Sequence, residues 1–208
     1  MRSRRPDLAD RGFTLVEVMV ALMIMSVMAA TAFKGVDAIL RSREIAEGQL
    51  QRTLRLQSVM AQWEMDMAAV ADTGSMPDKV FEFDGARLRL VRSAPGGVQV
   101  VLWSFNKGMW LRWASPVTTR VGELESHWER SYRVEEGTGG TLVALRGVQQ
   151  WMVYCYRRLP GQQGGWSNCQ SSSQQAVPQG LRSVLSLGEG SGFQGVVNRD
   201  VLVAPQPG

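Results

Sequence analysis

The chain has 208 residues, 44% of them hydrophobic, with a formal net charge of +4. That length holds one ordinary domain plus an extra segment, and the apolar share excludes a chain disordered throughout. The basic balance does not mark a nucleic-acid binder, because no dense basic patch interleaved with aromatics follows the N-terminus. One histidine and two cysteines, with no CxxC spacing, argue against a zinc site, and no cofactor is expected.

The first element is an apolar run. Residues 11–33 read RGFTLVEVMVALMIMSVMAATAF, and after Arg11 the only charge in the stretch is Glu17. Arg2, Arg4, Arg5 and Arg11 precede it, which predicts a cytoplasmic N-terminus and places the rest of the chain across the membrane. A cleaved secretory signal fits poorly, since the run continues past the small pair Ala29-Ala30. A plain membrane anchor fits the length, as about 20 residues span a bilayer core. It leaves Glu17 unexplained: a charged side chain at the centre of a membrane helix costs roughly 2.5–3.5 kcal/mol on insertion scales.

The helical pattern continues beyond the run. Residues 34–70 hold no proline and only Gly35 and Gly48. Leu56, Met60, Trp63, Met67 and Val70 recur at helical steps and mark one apolar face. A helix over about 13–70 would be roughly 85 Å long. ADTGSMPD, residues 71–78, reads as its end, with Asp72 and Asp78 as cap or turn residues.

After residue 78 the period becomes two. KVFEFDGARLRLVRS predicts a hairpin turning at Asp84-Gly85, and GVQVVLWSFNKGMWLRWAS a second at Asn106-Lys107-Gly108. YRVEEGTGGTLVAL reads as a third, turning at Gly137–Gly140. His127, in ESHWER, is expected on a solvated strand or loop. Residues 148–158 predict a strand with Trp151, Val153 and Cys155 on one face and Met152, Tyr154 and Tyr156 on the other. GLRSVLSL and NRDVLVA supply two more strands. Residues 160–179 and 188–196 read as loops. Helix followed by strands makes the fold class α+β. In an oxidising compartment Cys155 and Cys169 are expected to pair, closing a loop worth roughly 3 kcal/mol.

The stretch RGFTLVEVMVAL resembles the N-terminus of type IV pilins and type II secretion pseudopilins. The resemblance implies a prepilin peptidase that cuts between Gly12 and Phe13, followed by N-methylation of Phe13. The family's acid lies four residues after the new terminus, where Glu17 stands. It implies that Glu17 docks the subunit: the amine made on Phe13 of a staggered neighbour pairs with it. The rest of the helix resembles the minor pseudopilin J family of type II secretion. Phe33-Lys34-Gly35-Val36-Asp37, Arg41-Ser42-Arg43-Glu44 and Gln62-Trp63-Glu64-Met65-Asp66 carry that likeness. Gly147-Val148, Gly165-Trp166 and Pro178-Gln179-Gly180-Leu181 follow the family's order, although its Pro-led strand usually carries Pro-Arg.

The resemblance implies a pilin-like fold, a long N-terminal helix packed on an antiparallel β-sheet head. Residues 1–12 are expected to be a cleaved leader, 13–33 the transmembrane segment, 34–72 an amphipathic helix and 73–208 a periplasmic head. The implied location is the bacterial inner membrane, crossed once. The implied partners are I- and K-type minor pseudopilins, with an H-type as a further candidate, the major pseudopilin, the prepilin peptidase and the inner-membrane assembly platform. The implied role is the tip complex that starts the pseudopilus and supports export of folded proteins. A minor pilin of a type IV pilus is the alternative. No catalytic residue is expected, for no acid/base or nucleophile cluster stands out.

Overall fold

The computed structural model describes residues 13–72, 80–158, 163–171, 177–203 and 206–207. The chain divides into two compact units, Met1–Gln51 and Arg52–Gly208. Helix α1, Leu15–Ala68, begins in the first and ends in the second.

In the first unit the described chain from Leu15 onward is helix and nothing in it is buried. Its start comes from local chemistry at Thr14, described below. Its N-terminal part is long and apolar enough to cross a membrane once by length and composition, with a mean hydropathy of 2.2 over the most apolar window. Ser26 and Thr31 lie inside that run, and each hydroxyl donates to a carbonyl of its own helix, Met23 O and Met28 O, both at 2.8 Å. Past the run, the pairs Asp37–Arg41 and Arg43–Glu47 bridge successive turns at 2.6 and 2.7 Å.

The second unit has its own core. Strand β1 is Ala71–Asp72, β2 Phe81–Phe83, β3 Arg87–Ala94, β4 Gly97–Asn106 and β5 Met109–Ala114; helix α2 is Val121–Ser131 and β6 is Thr141–Arg146. Then come β7, Val148–Arg157, β8, Gly165–Asn168, β9, Gly180–Leu187, β10, Gly195–Leu202, and β11, Gln206–Pro207. One antiparallel sheet runs β2-β3-β4-β5-β6 and another β10-β9-β7-β8; β1 and β11 form a short parallel pair.

Tryptophans centre the main core. Trp63, from the last turns of α1, meets Trp103, Trp110 and Trp151 with ring centroids 5.5, 5.4 and 5.9 Å apart. Such ring pairs contribute about 0.5–1.5 kcal/mol each beyond their buried area. The alternate face of the same strands is also covered. Val100, Leu102 and Trp113 pack with Leu124 and Trp128 of α2. With both faces buried, β4 reads as the near-continuous apolar run VVLWSF.

The two leading hairpins turn where expected. Asp84 Oδ1 accepts from the N–H groups of Ala86 and Arg87 at 3.0 and 2.7 Å, and Lys107 and Gly108 take positive φ of 46° and 77°. Other expectations need correction. The helix stops at Ala68, and Asp72 falls in β1. β2 pairs with β3 only at Leu88–Leu90, so the far end of β3 captures the chain instead: Val70 bridges Arg92, and Ala69 O accepts from Ser93 N–H at 2.8 Å. Asp78 lies outside the described residues.

The third hairpin does not form: residues 132–136, its expected first arm, are not strand, and β6 takes β5 as its partner. Residues 121–131 are helix α2, so His127 lies on a helix and not on a strand or loop. The reason is the helical spacing of Leu124 and Trp128, which both enter the second cluster. β6 pairs with β5 across that insertion, Thr141 opposite Trp113. The loop at 160–179 contains β8 and a 3-10 turn, Cys169–Ser171. The last long strand starts at Gly195, inside the stretch read as loop.

Candidate functional site: two carboxylates on one helix

Phe13 is 86% exposed and Gly12 lies outside the described residues, so the bond expected to be cut is not described. From Thr14 onward the geometry is specific. Thr14 N–H donates to Glu17 Oε2 at 3.0 Å, and the Thr14 hydroxyl donates to the same oxygen at 3.1 Å. In return Glu17 N–H donates to Thr14 Oγ1 at 3.3 Å. This reciprocal pattern is a capping box, Thr at the N-cap and Glu three residues on. It satisfies helix N–H groups that have no partner inside the helix, and it sets a negative charge at the positive end of the helix dipole.

The box answers a problem set by the apolar run. The carboxylate is not stranded; its own chain holds it in place. Both bonds land on Oε2, and Oε1 accepts none among the described residues. Sequence reading singled out Phe13 and Glu17 but passed over Thr14. The signal was Thr-x-x-Glu directly before an apolar helix.

The second carboxylate is Asp66, fully buried near the other end of α1. Gln62 Nε2, one turn back, donates to Oδ1 at 2.9 Å. Arg112 of β5 grips both oxygens, Nε to Oδ2 at 2.6 Å and Nη2 to Oδ1 at 2.9 Å. Trp103 Nε1 of β4 donates to Oδ2 at 2.9 Å, and Arg92 of β3 donates to Oδ1. One side chain thus ties the helix to three neighbouring strands. A buried charge is tolerated only with such full pairing, and removing one side strands the other.

Cys155 of β7 and Cys169, just past β8, are joined, with Cα atoms 5.1 Å apart. Both are buried in the main core. The bond fastens the β7–β8 hairpin, in which Tyr156 stands opposite Trp166. Elsewhere Arg89, also buried, pairs with Glu82 and Asp84 at 3.2 Å, and further ionisable groups form pairs at the surface. Thr118, at 2.6 Å, and then Arg120, at 2.7 Å, hold the Glu123 carboxyl below its usual range. Arg182 does the same for Asp200 through two bonds of 2.7 and 2.6 Å. Among the described residues no three His, Cys, Asp or Glu side chains gather as a metal site would need.

With this geometry in place, two likenesses to known proteins bear on it. Residues 8–33 match the prokaryotic N-terminal methylation motif. The chain is also similar in structure to a chain from the crystal structure of the GspK-GspI-GspJ complex of the enterotoxigenic Escherichia coli type 2 secretion system. The TM-score is 0.52 at 17% sequence identity, covering 74% of this chain and 99% of that one. At that identity the likeness shows the fold: a long N-terminal helix with antiparallel sheets, the α+β class read from the sequence.

Proposed function

We propose that this chain is a minor pseudopilin of J type in a type II secretion system, working in the complex that starts the pseudopilus. The observation that carries the reading is the conjunction of a methylation motif over residues 8–33 with the fold of a chain from a GspK-GspI-GspJ complex. The motif alone serves type IV pilins equally; the fold favours secretion.

The N-terminal geometry is compatible with the following mechanism. A peptidase cut after Gly12 creates an amine on Phe13, which is then methylated. The Thr14 N–H remains an amide after the cut, so the capping box survives processing. Glu17 keeps Oε2 for its own helix and presents Oε1 to the Phe13 amine of a staggered neighbour. The ion pair therefore adds to the cap and does not replace it. Single-pass insertion with the N-terminus in the cytoplasm places the C-terminal unit in the periplasm, and a disulfide between Cys155 and Cys169 fits that oxidising compartment. The proposed partners are I- and K-type pseudopilins, the major pseudopilin, the prepilin peptidase and the assembly platform. The role is structural, with no catalytic step.

The test is co-expression of the full chain with I- and K-type pseudopilins and, separately, with minor pilins of a type IV pilus. Co-purification from detergent with the first set alone is expected. Association with the second set alone would replace this reading by the pilus one. Gly12→Leu should leave the precursor at full length on a gel, whereas normal processing would move the cleavage site.

A further inference from the structure

The outer face of the β10-β9-β7-β8 sheet carries an aromatic row with a gap in it. Strand register aligns one row across it: Leu202 opposite Gly180, Gly180 opposite Tyr156, and Tyr156 opposite Trp166. Gly180 leaves a gap in that row. A methyl group placed there would come within 3.3 Å of Tyr156 Cβ and 3.7 Å of Trp166 Cη2. The gap is the floor of a cavity of about 340 Å³ lined by Tyr156, Trp166, Gly180, Asp200, Val201 and Leu202. Gly180 opens β9, and the cavity's volume lies at the small end of ligand pockets.

The walls are fastened in place. Trp166 sits on the four-residue strand β8, held by register to β7 and by the Cys155–Cys169 bond just beyond it. Tyr156 and Trp166 are 5.4 Å apart at a tilt of 58°. Yet Trp166 is 42% exposed and Leu202 81% exposed. Next to them Arg182 lies 4.6 Å over the Trp166 ring and grips Asp200 through both oxygens.

That arrangement selects by charge. Arg182 and Asp200 neutralise each other, so neither a cation nor an anion meets an unpaired opposite charge there. A neutral ligand with one apolar face and hydroxyls at its edge suits both parts. The apolar face rests on aromatic rings, and the hydroxyls find acceptor oxygens on Asp200 and donors on Arg182. We propose that this pocket binds a single pyranose ring of a neutral glycan, with Trp166 and Tyr156 as the stacking wall and the Arg182–Asp200 pair as the hydroxyl partner. The site is independent of the secretion reading and stands or falls by a separate measurement.

The test uses the full chain in a detergent without a sugar headgroup. Methyl glucoside, methyl mannoside and N-acetylglucosamine are titrated, with a capped leucine peptide as the competing apolar probe, and binding is followed by saturation-transfer NMR. One ring supports a Kd on the order of 1 mM. Trp166→Ala should weaken sugar binding about tenfold. Gly180→Val, which fills the floor and leaves the aromatic wall present, should abolish it. Both variants are checked by near-ultraviolet circular dichroism for an intact fold. No saturable sugar binding, binding indifferent to both substitutions, or binding of the peptide alone would each overturn the proposal.

Discussion

Glu17 and Asp66 stand on the same helix, yet they solve opposite problems. Around Glu17 the large apolar side chains are exposed: Phe13, Leu15, Val16, Met19 and their successors have no core of their own. Among the described residues the carboxylate is held by Thr14 alone, and its other oxygen accepts no bond. Around Asp66 everything is closed. Gln62, Arg92, Trp103 and Arg112 use up both oxygens, and four tryptophans pack nearby. Under the proposed function, the difference separates a charge kept for a partner from a charge kept for the fold. An open acceptor on an uncovered helix awaits something outside the chain, whereas a saturated acceptor in a core fixes how the chain folds.

That contrast is broken first at Asp66. Asp66→Asn removes the charge that balances Arg92 and Arg112 and leaves two cations half-buried. Breaking a buried pair in this way costs about 3–5 kcal/mol, or a fall in melting temperature of about 10 °C for a chain of this size. Thermal unfolding of the full chain in detergent, followed by near-ultraviolet circular dichroism, checks it. An unchanged melting temperature would show that the cluster merely decorates the helix–sheet contact.

The disulfide comes next. Cys155→Ser with Cys169→Ser should lower stability by about 3 kcal/mol, since a closed loop of this length is lost from the unfolded state's constraints. The same measurement under reducing conditions should reproduce the shift in the wild type.

These two sites differ in how far sequence alone reaches them. The cysteines can be paired on paper, and the strands at β2–β3, β4–β5, β7 and β9 follow from period two with Asp84-Gly85 and Asn106-Lys107-Gly108 between them. Asp66 cannot be read that way. Its partners lie 26, 37 and 46 positions along the chain, and no local period links them. Helix α2 is not read in the sequence: the glycines at 137, 139 and 140 draw attention to a turn, while Leu124 and Trp128 keep helical spacing beside it. The division of the strands into two sheets depends on long-range pairing such as β7 with β9, which a strand pattern does not encode. At the N-terminus the pattern Gly-Phe-Thr-Leu-x-Glu points to residues 12–17 at once, because both the cap and the motif are local. The Thr-x-x-Glu spacing inside it is also the signal that Thr14 and Glu17 cap the helix together, a reading the motif's other residues overshadow.

A smaller effect belongs to the surface pair beside the proposed pocket. Arg182, by hydrogen bonding first and charge second, holds the Asp200 carboxyl below its usual range. A depressed carboxyl contributes stability above its unfolded pKa and loses it as pH falls through the folded value. The melting temperatures of wild type and Asp200→Asn should therefore differ at pH 7 and converge in strong acid, below the normal carboxylate range. The pair is largely exposed and solvent screens it, so this gap should be well below that of Asp66→Asn. A gap that widened in acid would reverse the assignment.

The smallest effect on stability is expected at Glu17, and there the contrast becomes sharpest. Glu17→Gln keeps a side-chain oxygen for Thr14 N–H, since glutamine serves in the capping box as glutamate does. The cap should persist, and the melting temperature and membrane insertion should match wild type. Only the charge offered through Oε1 is gone. If the open oxygen exists to receive a neighbour's amine, assembly into the filament complex should fail in this variant despite an intact fold. Thr14→Val makes the complementary change: it keeps the charge and removes the hydroxyl, at a local cost of about 1 kcal/mol. Assembly should be weakened there but not lost. Co-purification with partner subunits ranks the two variants. Full assembly by Glu17→Gln together with failure of Thr14→Val would mean that the carboxylate serves its own helix alone, and the distinction between Glu17 and Asp66 would collapse into two versions of the same structural role.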